Sequence, residues 1–331
     1  MQACYIERYG NADVVKVGEL PAPQPDPGAL VFRMQAASVN PVDNKTRMGM
    51  LRALQSYRMP VILGNDAAGV VTALGAGVAG FKVGDRVAAR LDKARMGAFA
   101  EFVPARPAHL AQIPEGVSFA QAAAVALAGL TAWQCLTEVL QVGAGERVLI
   151  HAGAGGVGHL AIQLAKGLDA HVTTTAAAAG HDWLRELGAD ECVDYRDADF
   201  TRVCAPFDAV LDTLGGATLL RSIGHTRRGG RVVSIGDLPT PEVAAEFGKP
   251  WLAPVFWLLS RKPRAAACAG GVAYRYWFMR EDGAQLTLLL DKLARGELRV
   301  RIEREFTLAQ APEALRLSEA GRVRGKLVIR P

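Results

Sequence analysis

Residues 151–158 read HAGAGGVG, and they constrain the fold of this chain more than any other segment. They follow directly on the apolar run Val148, Leu149, Ile150 and lead into HLAIQLAK, a stretch of good helix formers. Gly153, Gly155 and Gly158 meet the GxGxxG spacing in a strand–turn–helix setting. Glycine there lets the chain turn tightly and lets its backbone approach a pyrophosphate. The helix N-terminus then offers free N–H groups and the positive end of its dipole. The segment predicts a dinucleotide site made by Gly153, Ala154, Gly155, Gly156, Val157 and Gly158.

The surroundings agree with that prediction. ERVLIHA, AHVTTTA, FDAVLDTL and RVVSIG read as buried strands, with the helical patterns GGVGHLAIQLAKGL and HDWLRELG between them. Alternation of this kind argues for a parallel sheet covered on both faces. Before it, the segments 29–36, 67–73 and 86–89 are short, apolar and cut by Gly and Pro, as in a compact β domain. The texture changes at Ser118, where Ser118 and Gln121 form a capping box in front of an alanine-rich helix. GAQLTLLLDKLARGEL is a further amphipathic helix, and RVRIEREFTL and GKLVIR read as strands that return to the N-terminal domain. The expected fold class is α/β: a doubly wound parallel sheet (122–297) inserted in a β-barrel domain made of 1–121 and 298–331. Segment 238–279 has no clear pattern; it carries five prolines and many aromatics, including Trp251, Phe256, Trp257, Tyr274, Tyr276 and Trp277, which suit a substrate wall, a core or a dimer surface.

The cofactor is expected to be NADPH. An NAD site places Asp or Glu at the end of the second strand to grip the ribose 2′-hydroxyl. Residues 171–180, HVTTTAAAAG, contain no acid, so a 2′-phosphate meets no carboxylate there. Thr174, Thr175, His181 and Tyr195 are candidate donors, with Arg322 or Lys326 reaching over from the tail. Gly236, the last residue of RVVSIG, completes the expected cofactor contacts.

At this point the chain resembles the zinc-independent quinone oxidoreductases of the medium-chain dehydrogenase/reductase superfamily. The matching segments are SVNPVDNKTR, LGNDAAGVV, FKVGDRV, GAFAEF, LAGLTAWQ, GERVLIHAGAGGVG, AIQLAK, LGADECVDY, VLDTLGG and GKLVI, in family order over nearly the whole chain. The resemblance implies a GroES-like domain, a Rossmann domain, NADPH in the cleft between them, and a homodimer paired through the Rossmann sheet edge. Zinc enzymes of the superfamily carry a Cys near the segment matching SVNPVD, a His-Glu pair after a Gly, and a four-cysteine lobe. Here those places hold no Cys, Gly64-Asn65-Asp66, and LDKARMGAF. No metal is expected, since a tetrahedral zinc site needs three or four ligands. The resemblance places Asn40, Asp43, Lys45 and Thr131 beside the nicotinamide. Lys45 is the candidate proton donor, and Asn40 orients substrate or the nicotinamide amide.

The implied activity is hydride transfer to a quinone or an α,β-unsaturated carbonyl compound. Two alternatives stand beside it: an enoyl-thioester reductase, and a non-catalytic NADPH-binding regulatory or RNA-binding protein. Composition narrows the field. Half of the 331 residues are hydrophobic and the net charge is +5, with Arg261, Lys262 and Arg264 as the densest basic run. That run is a solvated patch or an attractor of an anionic ligand. No RNA-binding motif is present, no run is read as long enough to span a membrane, and no leader is seen, so the expected partners are a small molecule and a second copy in the cytoplasm. The five cysteines are scattered without CxxC spacing, which fits a reducing compartment and no disulfide framework.

Overall fold

The computed structural model describes all 331 residues. The chain divides into two compact units, Met1–Leu130 with Arg280–Pro331, and Thr131–Met279. The expected divisions at 121/122 and 297/298 are displaced for two physical reasons. Within the helix Phe119–Gln134, the Leu127 N–H donates to the Asp66 carboxylate at 3.1 Å, which ties the first turns to the first unit. The helix Gly283–Ala294 packs so closely on the strand Leu110–Gln112 that a Cβ on Gly283 would lie 2.4 Å from the Leu110 carbonyl oxygen.

The second unit is an all-parallel six-stranded sheet. Its spatial order is Glu191–Asp194, His171–Ala176, Arg147–Ile150, Phe207–Asp212, Thr226–Ser234, Ala273–Tyr276. Numbered along the chain, that is 3-2-1-4-5-6, the dinucleotide-binding order, whose switch point lies between the first and fourth strands. The first strand is apolar on both faces because both faces are covered: Val148, Leu149 and Ile150 have no exposed surface. Leu149, Phe207, Val210, Leu219 and Val232 form its core. The indistinct stretch 238–279 resolves into the helices Pro241–Glu246, Ala253–Leu259 and Arg261–Gly270 followed by the sixth strand.

The first unit holds a seven-stranded sheet ordered Ile302–Thr307, Lys326–Arg330, Leu30–Val39, Asp66–Leu74, Arg86–Arg90, Leu110–Gln112, with Phe102–Ala105 also paired to Leu30–Val39. A three-stranded antiparallel sheet joins Val15–Glu19, Gln2–Ile6 and Val61–Ile62. Phe32, Met34, Leu63, Phe99 and Phe306 fill the core. The tail does return: Leu327 pairs with Val39 and Ile329 with Ala37, antiparallel. This register sets Lys326 beside Asn40.

The capping box at Ser118 forms, with the Gln121 N–H donating to Ser118 Oγ at 3.2 Å and the Ser118 N–H to Gln121 Oε1 at 3.0 Å. The helix it starts continues as a π-helical turn, Cys135–Val139. Contrary to expectation, Phe119–Val139 is long and apolar enough to cross a membrane by composition alone, with mean hydropathy 1.4; 83% of that stretch is buried within the protein.

Candidate active site

Two of the three motif glycines, Gly153 and Gly158, are required by close approach, and none of the three by positive φ. A Cβ on Gly153 would lie 2.1 Å from Thr174 Oγ1, and one on Gly158 would lie 2.3 Å from the Ala152 carbonyl oxygen. These two close the loop onto the second strand and onto its own entry. Gly155 differs: its Cβ would meet only the Ala152 oxygen, at 3.2 Å. This is the position at which backbone is open to a pyrophosphate, and the helix Gly158–Lys166 begins just beyond. The loop is held under strain, with Ala152 in the left-handed region at φ 51°. A non-glycine residue there costs on the order of 1 kcal/mol.

Two expected cofactor contacts brace this loop instead. Thr174 Oγ1 donates to the Ile150 carbonyl at 2.7 Å, and Thr175 Oγ1 accepts the Ala152 N–H at 3.2 Å. Both hydroxyls are engaged by the first strand and the loop that follows it. His151 completes the brace, with Nδ1 3.0 Å from Thr175 Oγ1 and Nε2 2.8 Å from Ser222 Oγ. Burial, helped by the charge of Arg221, pushes its imidazole down to about 4, so it is neutral near pH 7. His181 Nε2 lies 3.1 Å from the Ala176 carbonyl and holds the end of the second strand.

The fourth and fifth strands supply the opposite wall of the crevice. Asp212 is buried and accepts from the Leu214 and Gly215 N–H groups and from Ser234 Oγ; burial raises its carboxyl above the ordinary range. Gly236 fits because a Cβ there would lie 2.5 Å from the Thr213 carbonyl oxygen. Thr213 Oγ1 in turn donates to the His151 carbonyl at 3.0 Å, linking the two walls.

At the end of the third strand, Tyr195 is exposed, and the Arg196 guanidinium lies 5.6 Å from its ring centre. Asp194 shapes this corner by accepting the Ala178 and Arg196 N–H groups, which hold its carboxyl below the ordinary range. Sequence reasoning singled out Tyr195 and missed Arg196, although the dipeptide directly follows a strand. Thr131 is buried in its helix.

In the first unit, Asn40, Asp43 and Lys326 come together. Asn40 caps the helix Pro41–Arg47, and its backbone N–H donates to Asp43 Oδ2 at 2.7 Å. Asp43 also accepts from Asn65 Nδ2 at 2.6 Å. Asp66 accepts from Ser38 Oγ at 2.9 Å and from Asn40 Nδ2 at 3.1 Å. The Lys326 ammonium donates to the Val39 carbonyl and to Asn40 Oδ1. All six side chains are buried. Burial, with Asp66 close by, pushes Asp43 up to about 7; burial pushes Lys326 down.

This network shows where two of the expected site residues are engaged. Lys326 donates to Val39 and Asn40 inside the first unit. The Asn40 amide is engaged at both ends, by Lys326 and by Asp66. Lys45 is different: it is half-buried with no ion pair, and desolvation alone lowers its pKa. No cluster of three or more His, Cys, Asp or Glu side chains is placed to hold a metal ion.

A parallel sheet of order 3-2-1-4-5-6 with a glycine loop at its switch point defines a dinucleotide-binding protein, and the coupled β unit narrows it to the dehydrogenase class. Comparison agrees. Residues 26–115 match the alcohol dehydrogenase GroES-like domain, and residues 187–329 match a family described as zinc-binding dehydrogenase. The chain is 30% identical to the chloroplast envelope quinone oxidoreductase homolog of Arabidopsis thaliana, covering 100% of this chain and 98% of that one. The quinone oxidoreductase of Coxiella burnetii superposes with a TM-score of 0.88 at 34% identity, covering 100% and 99%. A mycobacterial protein complexed with NADPH superposes with a TM-score of 0.83 at 28% identity, covering 100% of both chains. The chain belongs to the quinone-oxidoreductase-like branch of the medium-chain dehydrogenase/reductase superfamily. It is an oxidoreductase that uses a nicotinamide cofactor.

Proposed function

We propose that this enzyme uses NADPH, without a metal, to reduce quinones or α,β-unsaturated carbonyl compounds. The observation that carries it is the glycine loop at the switch point, where Gly155 is the least crowded of the three motif glycines. Preference for NADPH is supported by Tyr195 and Arg196, exposed together beyond the third strand, and by the absence of an acid in residues 171–180. A metal-free site is supported by Asn65 and Asp66, which stand where the zinc enzymes have His and Glu. Both side chains are tied into a network that already contains an ammonium group.

When bound, NADPH supplies the hydride, which is the hard part of the chemistry. The backbone at Gly155 and the helix N-terminus hold the pyrophosphate. Asp212 and Thr213 keep the crevice walls in register, and His151, held by Thr175 and Ser222, braces the glycine loop. Lys45, unpaired and partly desolvated, is the proton source for the acceptor oxygen. The exposed edge of the sheet at Ala273–Tyr276 supports a homodimer, and the cytoplasm is the proposed compartment.

The test is consumption of NADPH and NADH with a panel of quinones, enones and enoyl thioesters. Faster turnover of NADPH with quinones or enones is expected. Turnover of enoyl thioesters alone selects the thioester reductase. Tight NADPH binding without any turnover selects the regulatory or RNA-binding role.

A further inference from the structure

The segment that had no clear sequence pattern carries an unusual surface. Trp251, Val255, Trp257, Leu258 and Leu259 are each 46–66% exposed and lie within nine consecutive residues. The helix Ala253–Leu259 is anchored by Phe256, its one buried side chain, so it stands out from the unit instead of lining a groove. Exposed apolar side chains scattered singly need no explanation, but a contiguous set marks an interaction surface. The next helix opens with Arg261 and Lys262, both exposed and in no ion pair, and the Arg264 guanidinium lies 5.5 Å from the Trp257 ring centre. Of the six Lys and Arg in residues 247–280, Arg275 pairs with Glu246 and Arg280 with Asp282, which leaves Arg261 and Lys262 as exposed cations without an ion pair beside the apolar helix. Positive charge is therefore concentrated beside the exposed apolar helix.

We propose that Pro250–Arg264 docks this protein on an anionic lipid bilayer, with Trp257, Leu258 and Leu259 entering the headgroup boundary and Arg261 and Lys262 facing lipid phosphates. Exposed tryptophan and leucine with cations at the rim are the chemistry of a segment that lies in the interface without spanning it. A second copy is a poorer occupant. In a twofold contact this surface meets itself, which gathers Arg261 and Lys262 of both copies into one interface with no acid in residues 250–264 to offset them. The sequence-based expectation of no membrane partner rested on the lack of a span, and surface docking needs none.

The experiment is co-sedimentation of the full chain with phosphatidylcholine vesicles, with and without roughly one-third phosphatidylglycerol, at low and high salt. Binding is expected only with the anionic lipid, weakening with salt, with tryptophan fluorescence quenched by brominated acyl chains. Replacing Arg261→Ala and Lys262→Ala together should lower binding about 30-fold, at about 1 kcal/mol per cation near an anionic surface. Trp257→Ser with Leu258→Ser, both exposed in the fold, should lower it at least about tenfold. No binding to anionic vesicles at low salt overturns the proposal. So does a Trp257→Ser, Leu258→Ser variant that instead changes the oligomeric state, which assigns the surface to a second copy. Equal retention by polyglutamate, unaffected by that variant, assigns it to an acidic polypeptide.

Discussion

Gly155→Ala and Gly158→Ala change the same motif by one methyl group each, and their consequences should be opposite in kind. At Gly158 the new Cβ falls 2.3 Å from the Ala152 carbonyl oxygen and 2.7 Å from Gly153 Cα. Both are backbone atoms that cannot rotate away, so the loop itself must shift. Overpacking of this severity costs about 3 kcal/mol. In a cooperative unit of roughly 150 residues that lowers Tm by about 6–12 °C. At Gly155 the nearest atom is 3.2 Å away, so the apo fold should lose less than about 1 kcal/mol. There the methyl group occupies the approach of the phosphate, and losing one charge-assisted hydrogen bond of about 1.5–3 kcal/mol raises the Kd for NADPH about 10- to 150-fold. Thermal unfolding without and with NADPH measures both effects. Gly155→Ala should unfold like the wild type alone but lose the NADPH-induced rise in Tm. Equal Tm loss in both variants, or unchanged NADPH affinity in Gly155→Ala, would refute the division of labour within the loop.

Further outcomes follow from the same geometry. His151 has a folded pKa of about 4, below its unfolded value, so the unfolded chain binds the extra proton between about pH 6.5 and 4. Stability of the second unit should fall as pH drops through that window, and His151→Asn should flatten the dependence in urea titrations. Asp43 has the opposite sign: its folded pKa of about 7 lies above the ordinary carboxylate value, so its contribution is full at low pH and is lost as pH rises toward 7. Asp43→Asn should remove that loss, and a stability that rises steadily between pH 5 and 7 in the His151→Asn variant contradicts it. Arg196→Ala should raise KM for NADPH about tenfold while leaving KM for NADH within about twofold, the loss of one charged phosphate contact. Lys45→Met should lower kcat at least about tenfold with enones, whose product needs a proton, and less with quinones, which solvent can protonate.

The sheet of the second unit was legible because its signals are local. The strands at 147–150 and 207–212 are short, mostly apolar runs and that at 171–176 is rich in β-branched residues, each next to a helix pattern, and the glycine loop fixes where the first strand ends. The third strand, Glu191–Asp194, is four residues long with Glu and Asp at its ends, so alternation alone does not reveal it. The buried network was illegible for a different reason. Lys326 and Asn40 are 286 residues apart, and only the antiparallel register of the tail brings them together. A lysine next to a C-terminal strand looks, in sequence, free to reach a ligand. Thr174 and Thr175 likewise read as available donors because periodicity places them on a strand, whereas their partners lie on the loop that crosses above. The helix Ala253–Leu259 defeats pattern recognition because it is apolar around nearly its whole circumference and therefore has no period.

The central claim, hydride transfer from NADPH to an organic acceptor, is tested most directly by a single-turnover experiment. NADPH carrying deuterium at one or the other prochiral C4 position is mixed with enzyme and a quinone, and the loss of reduced nicotinamide absorbance is followed. A primary isotope effect with one deuterated cofactor and none with the other is predicted. Equal rates for both labels and unlabelled NADPH, or oxidation only after a metal is added to metal-stripped enzyme, would contradict the account.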